Sequence, residues 1–427
     1  MAHHTLKTAY SQLAERLNRF PQGAPPTELL FAILKMLFSE REAGLVASLP
    51  IKPFTAQRAS EIWQTDLAEA RTLLDRLADR GLLVDVEDRH GTSWYTLPPP
   101  MAGFFEFSLM RVREDVDQKV LSELFYQYLN VEEDFVRDLF TRGETQLGRA
   151  FVHEPALSEE NALHVLDYER ASAVIESASH MAIGMCYCRH KMQHLGRACD
   201  APMNICMTFN GTAKSLTKHG IARQVDKAEG KDLLQQAYES NLVQFGENVQ
   251  RRVNFICNCC GCCCEAMLAA RRFAIMNPVH TTNFLPEVAA ETCNGCGKCV
   301  TACPVEAMTL VSANDPHKPK RKTAKLAEDR CLGCGVCVRA CGHDGVALRS
   351  RPERVLTPVN GVHRALLMAV ERGTLQHLIF DDRALWNHRA MAAVLGAILK
   401  LPPVKRALAN KQVRSRYLES LMARGRH

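Results

Sequence analysis

The sequence CNGCGKCVTACP occupies residues 293–304, and CLGCGVCVRACG repeats its spacing at residues 331–342. Each stretch reads C-x-x-C-x-x-C-x-x-x-C, and together they hold eight of the chain's 18 cysteines. Thiolates at this spacing are the ligand pattern of cubane iron–sulfur clusters. Structural zinc also binds C-x-x-C pairs, but two zinc sites would not require this third and fourth cysteine spacing. The pattern therefore predicts one-electron chemistry at two [4Fe–4S] clusters.

Residues 291–349 resemble bacterial two-cluster ferredoxins. In that family the fourth cysteine of each run binds the other cluster. The resemblance implies that one cluster is held by Cys293, Cys296, Cys299 and Cys341. It implies that the second is held by Cys331, Cys334, Cys337 and Cys303. Gly342 departs from the family, in which proline usually follows the fourth cysteine. The glycines of the runs fit loops whose backbone comes close to the sulfides: Gly295, Gly297, Gly333 and Gly335.

A basic insertion separates the two runs. It is either a docking surface for an acidic redox partner or a solvated loop. Its members are Lys318, Lys320, Arg321, Lys322 and Lys325.

The other ten cysteines lie upstream in two short stretches. The first, CYCRHKMQHLGRACDAPMNIC, supplies the candidate ligands of a third cluster, Cys186, Cys188, Cys199 and Cys206. The second, CNCCGCCC, supplies candidate additional ligands, Cys257, Cys259, Cys260, Cys262, Cys263 and Cys264. A zinc site that includes His190 and His194 is the alternative, because these residues share one helix face. Spacing leaves open whether CNCCGCCC holds its own cluster, joins the third one, or forms a redox-active thiol pair.

Two further resemblances concern these stretches. Their combination with a C-terminal two-cluster module is similar to larger ferredoxin-type iron–sulfur proteins, which implies no particular substrate. Cys259–Cys260–Gly261 also resembles the CCG element of heterodisulfide-reductase-like subunits. The sequence contains no dinucleotide fingerprint and no P-loop. If the chain is an enzyme, as an iron–sulfur oxidoreductase component, its chemistry would lie on a cluster or on the CNCCGCCC thiols.

The periodicity predicts an α+β chain that is mainly helical, in four segments. Residues 1–100 read as three helices followed by a hairpin, an order that resembles a winged-helix domain. Residues 101–285 are predicted to form a helical cysteine-rich domain. Residues 286–352 form the ferredoxin-like domain, and residues 353–427 a basic helical tail.

Charge is spread unevenly along the chain, whose net charge is +6. Residues 1–150 carry 17 Lys and Arg against 22 Asp and Glu, a net −5, whereas residues 351–427 carry 14 against 5, a net +9. DNA binding draws on phosphate contacts, so an acidic winged helix is better suited to protein docking or dimerisation than to DNA. The basic tail is a candidate contact for an acidic protein or an anionic membrane surface. It contains Lys400, Lys405, Arg406, Lys411, Arg414, Arg416, Arg424 and Arg426.

The N-terminus lacks the apolar stretch of a secretory signal, and no apolar run approaches the ~20 residues of a membrane span. We therefore expect a cytoplasmic protein, in which clustered cysteines bind metal rather than form disulfides. The predicted function is a multi-cluster electron-transfer protein that relays electrons between redox partner proteins or to a cysteine-rich central site. The alternatives are a redox-sensing winged-helix regulator and an iron–sulfur reductase with its own substrate.

Overall fold

The computed structural model describes residues 8–404. The chain divides into two compact units. The first contains residues 8–145, 214–222 and 361–404, and the second contains residues 146–213 and 223–360. All 18 cysteines lie in the second unit. This division is coarser than the four predicted segments, whose boundaries stay predictions.

The chain mixes helix and strand, at 46% helix and 14% strand, as the α+β class requires. Within residues 8–404, none of the helices combines the length and the apolar character that a bilayer span needs. The α-helices of the first unit are Ala9–Arg19, Glu28–Leu37, Glu40–Ser48, Ala56–Trp63, Leu67–Asp79, Phe105–Phe107, Gln118–Tyr126, Asp134–Thr141, Gly361–Arg372, Leu375–Ile379 and Trp386–Lys400. Those of the second unit are Glu159–His164, Ala171–Ser177, Tyr187–His194, Lys227–Glu239, Glu265–Arg272, Lys298–Ala302 and Val336–Arg339. The helix Asn210–Lys218 contributes residues to both units.

The first unit contains the three predicted helices, Glu28–Leu37, Ala56–Trp63 and Leu67–Asp79, followed by the predicted hairpin. Two further helices that the sequence did not predict, Ala9–Arg19 and Glu40–Ser48, precede and interrupt this order. Asp66 caps the helix Leu67–Asp79 by accepting a hydrogen bond from the Glu69 N–H, and Gly81 follows it at φ +73°. Strands β1 (Phe54–Thr55), β2 (Val84–Glu87) and β3 (Ser93–Thr96) form an antiparallel sheet in the order β1-β3-β2. The individual helices and the hairpin are thus confirmed, and the winged-helix assignment stays a prediction.

The second unit is built on a six-stranded antiparallel sheet, which corrects the prediction of a helical domain over residues 101–285. Its strand order is β4-β8-β9-β6-β5-β7. Most of these strands are buried on both faces, so they lack the alternation that identifies a half-buried strand in a sequence. The strands are β4 Gly148–Ala150, β5 Met181–Met185, β6 Asn204–Phe209, β7 Arg223–Gln224, β8 Val243–Glu247 and β9 Phe255–Cys259.

One apolar core holds this sheet to its helices. Ile183 and Met207 of the sheet pack with Ile175 of the helix Ala171–Ser177 and Leu234 of the helix Lys227–Glu239. Burial of each of these side chains stabilises the folded state by roughly 1.5–3 kcal/mol. The core fixes β6 and β9, which carry cysteines, relative to each other.

The C-terminal part of the second unit consists of two antiparallel strand pairs. Strand β10 (Phe284–Val288) pairs with β13 (Val346–Ser350), and β11 (Met308–Ser312) pairs with β12 (Lys322–Leu326). Each cysteine run contains a short helix, Lys298–Ala302 in the first and Val336–Arg339 in the second. The predicted basic tail is helical over Gly361–Arg372, Leu375–Ile379 and Trp386–Lys400, and its cations from Lys405 onward lie outside the described residues.

Candidate iron–sulfur and thiol sites

Two recesses in the C-terminal part of the second unit are each lined by four cysteines. The first, of about 310 Å³, is lined by Cys293, Cys296, Cys299 and Cys341. The second, of about 300 Å³, is lined by Cys303, Cys331, Cys334 and Cys337. Each recess therefore combines three cysteines of one run with the fourth cysteine of the other run. The structure brings together both ligand sets that the ferredoxin resemblance implied.

Glycine is required where the runs pass close to strands. Gly295 (φ +71°) and Gly333 (φ +68°) lie in the left-handed region. A Cβ on Gly295 would lie 2.3 Å from the Lys322 carbonyl oxygen, and one on Gly333 would lie 2.1 Å from that of Phe284. No side chain fits at such distances, so these glycines let the cysteine loops pack against β12 and β10.

Backbone N–H groups already point at several sulfurs. The N–H of Ala307 donates to Cys303 Sγ at 3.2 Å, and the N–H of Gly333 donates to Cys331 Sγ at 3.3 Å. Such bonds stabilise thiolate and tune the potential of a bound cluster.

The two recesses differ in their exposure to solvent. Cys331, Cys334 and Cys337 are all buried, whereas Cys296 is exposed. Burial raises the pKa of Cys331 to about 11 and raises that of Cys337 well above its usual value. These thiols bind a metal only as thiolates, so a cation in the second recess must supply the energy of their ionisation. The first recess is therefore the more open of the two to solvent at its cysteines.

The comparison with protein families agrees with this geometry. Residues 292–344 match the family model described as a 4Fe-4S dicluster domain. The chain carries a 4Fe–4S dicluster domain. No curated protein and no solved structure matches the chain. The domain and the many cysteines together indicate iron–sulfur electron transfer.

Outside the dicluster domain, four cysteines form a compact group, called here the S4 group. The sulfurs of Cys199, Cys260, Cys262 and Cys263 all lie within 4.8 Å of one another. Cys262 and Cys263 are 3.7 Å apart, and Cys263 is 3.9 Å from Cys199. Within residues 8–404, no other set of three or more His, Cys, Asp or Glu ligand atoms is this compact.

The remaining six cysteines are linked in a second group, called here the thiol ring. Its members are Cys186, Cys188, Cys264, Cys259, Cys257 and Cys206. The sulfurs of Cys264 and Cys259 lie 3.0 Å apart, and those of Cys206 and Cys257 lie 4.0 Å apart. Cys188 lies near Cys186 and Cys264, and Cys259 lies near Cys257 as well as Cys264. Cys206 also lies near Cys186 and Cys188.

The structure divides the candidate ligands of the third cluster between these groups. Cys186, Cys188 and Cys206 belong to the thiol ring, whereas Cys199 belongs to the S4 group. The S4 group contains no histidine. His190 and His194, the zinc alternative, contact each other, with their Nε2 atoms 3.1 Å apart.

Cys264 lies at the N-terminus of the helix Glu265–Arg272. Hydrogen bonds with the thiols of Cys188 and Cys259 lower its pKa to about 6, and the backbone N–H of Met267 adds to this effect. Cys260 in the S4 group has its pKa lowered to about 4 by a hydrogen bond with Cys263 and by the charge of Arg189. Each group therefore contains a thiol that is readily ionised.

Arg189 is a functional residue that sequence reasoning missed. Its side chain is fully buried, and its guanidinium donates to the carbonyls of Pro202 and Asn258, both at 2.6 Å. Burial alone would lower the pKa of Arg189, but the negative charges of nearby thiolates have the larger effect and raise this pKa. These thiolates belong to both groups: Cys186 and Cys259 of the thiol ring, and Cys260 and Cys199 of the S4 group. Arg189 thus supplies positive charge to both groups. Its position directly after Cys188 was the available signal.

A buried ion pair joins the two helices that carry these cysteines. Lys191 of the helix Tyr187–His194 contacts Glu265 of the helix Glu265–Arg272, and both side chains are shielded from solvent. Removing either partner would leave a buried charge uncompensated. The pair therefore fixes the spacing of the two cysteine stretches.

The S4 group adjoins the dicluster domain. Gly261, between Cys260 and Cys262, packs on Pro304, which directly follows Cys303 of the second recess. A Cβ on Gly261 would lie 2.6 Å from the Pro304 carbonyl oxygen. Arg271 forms an ion pair at 2.6 Å with Glu306 in the same turn.

Proposed function

We propose that this protein is a multi-cluster electron-transfer protein in which the dicluster domain exchanges electrons between a redox partner and the central thiol groups. One [4Fe–4S] cluster would be bound by Cys293, Cys296, Cys299 and Cys341. The other would be bound by Cys331, Cys334, Cys337 and Cys303. The observation that carries the proposal is the contact of Gly261 with Pro304, because it places the S4 group against the chain segment that holds a ligand of the second cluster.

The exposure of the cysteines supports an order for the transfer. Cys296 is exposed, so the first cluster would meet the partner. Cys299 of the first recess and Cys337 of the second belong to one apolar cluster with Met308, Ala324 and Val346. The two clusters would therefore be near neighbours across a dry interior. Electrons would pass from the partner to the first cluster, then to the second, and then to the central thiols.

The partner would be an acidic protein. Lys318, Lys320 and Lys322 are exposed in and beside the hairpin that joins β11 to β12. Arg321 anchors this hairpin to the first recess, because its guanidinium donates to the carbonyls of Ala290, at 2.7 Å, and of Cys293, at 3.1 Å. A positive surface beside the exposed cluster would accelerate association with a negative partner, and the acceleration would fall with ionic strength.

A further iron–sulfur cluster would be bound by the thiol ring, since it gathers three of the four cysteines predicted for a third cluster. A reductase acting on its own substrate is the second candidate function. It is favoured by the position of Cys262, the one exposed thiol of the central groups. The redox-sensing regulator has less support, because the exposed charges at the helix Leu67–Asp79 are three acids, Asp66 at the N-cap, Glu69 and Asp79, against two arginines, Arg71 and Arg76. Arg80 is paired with Glu42 at 2.7 Å.

Iron and sulfide analysis combined with Mössbauer spectroscopy tests the proposal on protein purified without oxygen. We expect about eight irons and eight sulfides from the dicluster domain, with further metal from the central groups. Rapid mixing with a reduced low-potential donor should reduce the [4Fe–4S] clusters before the central groups. A colourless, zinc-loaded protein, made with the cluster assembly machinery supplied, would refute the proposal. Turnover that is lost in Cys260→Ser while the dicluster spectrum is retained would favour the reductase instead.

A further inference from the structure

The sulfur distances in the S4 group are those of a single metal ion. Four thiolates bound tetrahedrally at ~2.3 Å from one ion lie about 3.8 Å from each other. The observed separations are 3.7 Å for Cys262 with Cys263 and 3.9 Å for Cys263 with Cys199, and all four sulfurs lie within 4.8 Å.

A cubane does not fit the same arrangement. Its four cysteines bind four different irons at the corners of a cube, so their sulfurs are spread well apart around the inorganic core. The dicluster domain shows this wider arrangement, since among residues 8–404 no three of its cysteine sulfurs lie as close together as those of the S4 group. We propose that Cys199, Cys260, Cys262 and Cys263 bind one tetrahedral metal ion, iron or zinc, without inorganic sulfide.

The surroundings of the S4 group suit such a centre. Four thiolates around a divalent ion leave a net charge of −2, and the buried guanidinium of Arg189 lies close enough to Cys260 and Cys199 to offset part of it. The backbone N–H groups of Cys263 and Cys199 lie close to the sulfurs of Cys260 and Cys263, respectively. N–H donors of this kind orient and stabilise metal-bound thiolates.

The ion would join two separate parts of the chain. Cys199 lies in the loop after the helix Tyr187–His194, and the other three ligands lie in the turn after β9. Zinc would only fix this turn against the loop, since it has no redox chemistry. Iron would in addition cycle between Fe³⁺ and Fe²⁺, so that in its Fe³⁺ form it would accept one electron beside the Pro304 segment of the second recess.

The test measures iron, zinc and acid-labile sulfide per chain in the full-length protein, produced without oxygen. Cys262→Ala is the informative variant, because Cys262 is the exposed member of the group and its loss should disturb packing least. We expect it to lose one metal ion per chain and no sulfide. The matched control is Cys296→Ala, at the exposed ligand of the dicluster domain, which should lose iron and sulfide together.

X-ray absorption at the edge of the lost metal distinguishes iron from zinc. In the unaltered chain the metal that Cys262→Ala loses should have four sulfur ligands at about 2.3 Å and no second metal nearby. Loss of four irons with four sulfides from Cys262→Ala, or no loss of metal at all, would overturn the proposal. If this variant does not fold, the metal and sulfide content of the unaltered chain still tests the proposal. We expect more metal than sulfide per chain. Equal amounts of metal and sulfide would contradict the site.

Discussion

Gly261 packs so closely on Pro304 that a Cβ at position 261 would lie 2.6 Å from the Pro304 carbonyl oxygen and 2.9 Å from its Cα. Both nearest atoms belong to the backbone, so a side chain at position 261 can be accommodated only if one loop moves. This contact joins the turn that carries Cys260 and Cys262 to the residue after Cys303. It gives the proposed electron path a direct packing contact, without a covalent bond, between the second recess and the central thiols.

We predict that Gly261→Ala will slow electron transfer from the dicluster domain to the central thiols and destabilise the second unit. Overpacking of this kind costs typically 1–3 kcal/mol. The change is measured by rapid reduction kinetics and by the denaturant midpoint at which the cluster absorbance is lost. Gly342→Ala is the control, since a Cβ there meets no atom within 4 Å. If Gly261→Ala and Gly342→Ala show the same rate of electron transfer and the same denaturant midpoint, the Gly261–Pro304 contact does not matter for either property.

The crossed arrangement of ligands predicts a specific pattern in double variants. Cys296 and Cys341 line the same recess although they belong to different runs. The double variant Cys296→Ala/Cys341→Ala should therefore lose about four irons, as each single variant does. Cys296→Ala/Cys303→Ala should lose about eight, because Cys303 lines the other recess. The reverse pattern of iron loss would show that each run binds its own cluster.

The dicluster domain could be predicted from the sequence because the residues that define it lie close together along the chain. Each run supplies three cysteines within seven residues, with glycines where the backbone approaches a strand, as at Gly295. The spacing alone did not choose between crossed and uncrossed ligand sets, and the resemblance to two-cluster ferredoxins was needed for that step.

The grouping of the central cysteines could not be predicted in the same way, because it depends on strand register. Met207 of β6 pairs with Ile256 of β9, and this register places Cys206 beside Cys257, 51 positions away in the chain. The sheet itself was missed because strands such as Val243–Glu247 are buried along their whole length and show no alternation. Without the sheet, the sequence predicts a single ligand set for the first stretch and does not indicate that Cys199 is separated from its neighbours.

We predict that Arg189→Met will release metal from the central thiols while leaving the dicluster domain loaded. The substitution removes the cation that offsets the charge of the thiolates and leaves the carbonyls of Pro202 and Asn258 without their donor. The loss of a buried charged partner costs roughly 3–5 kcal/mol, so the second unit should also be destabilised. Metal and sulfide analysis, with the visible spectrum of the dicluster domain, checks both statements.

Arg223→Met is the matched control for Arg189→Met. Arg223 lies in the same unit and forms an ion pair with Glu229, but both side chains are largely exposed. Exposed pairs of this kind contribute about 0–1 kcal/mol. A similar loss of metal in both variants would indicate general unfolding and would count against a role of Arg189 at the thiol groups.

The first unit should show a pH-dependent stability that centres on His219. Its Nδ1 lies 2.5 Å from Asp79 Oδ1, and its Nε2 lies 2.9 Å from Asp85 Oδ1. Burial opposes protonation, but the two carboxylates outweigh it and raise the pKa of His219. Lys218 also contacts Asp85, and Arg111 donates to the His219 carbonyl at 2.7 Å. Burial likewise opposes ionisation of Asp85, but His219 and Lys218 lower its pKa well below the usual range.

The pKa shifts of His219 and Asp85 make the stability of the first unit depend on pH in opposite directions. The contribution of His219 to the free energy of unfolding is complete below the pKa of about 6.5 that it has in the unfolded chain. It is lost as the pH rises through the raised pKa of the folded protein. That of Asp85 is complete above its unfolded pKa of about 3.9 and is lost as the pH falls toward its lowered folded value. We therefore expect the first unit to be most stable between about pH 4 and 6.5, with a decline on either side.

Tryptophan fluorescence measures this directly, because the chain's three tryptophans, Trp63, Trp94 and Trp386, all lie in the first unit. Urea midpoints should fall from pH 6 to pH 9 in the unaltered chain. In His219→Gln, which keeps a hydrogen-bonding side chain without the titrating charge, the midpoint should be lower at pH 6 and nearly independent of pH over this range. His90→Gln is the control, since His90 is exposed in the loop between β2 and β3 and should leave the slope unchanged. A slope that survives in His219→Gln would assign the pH dependence to another group.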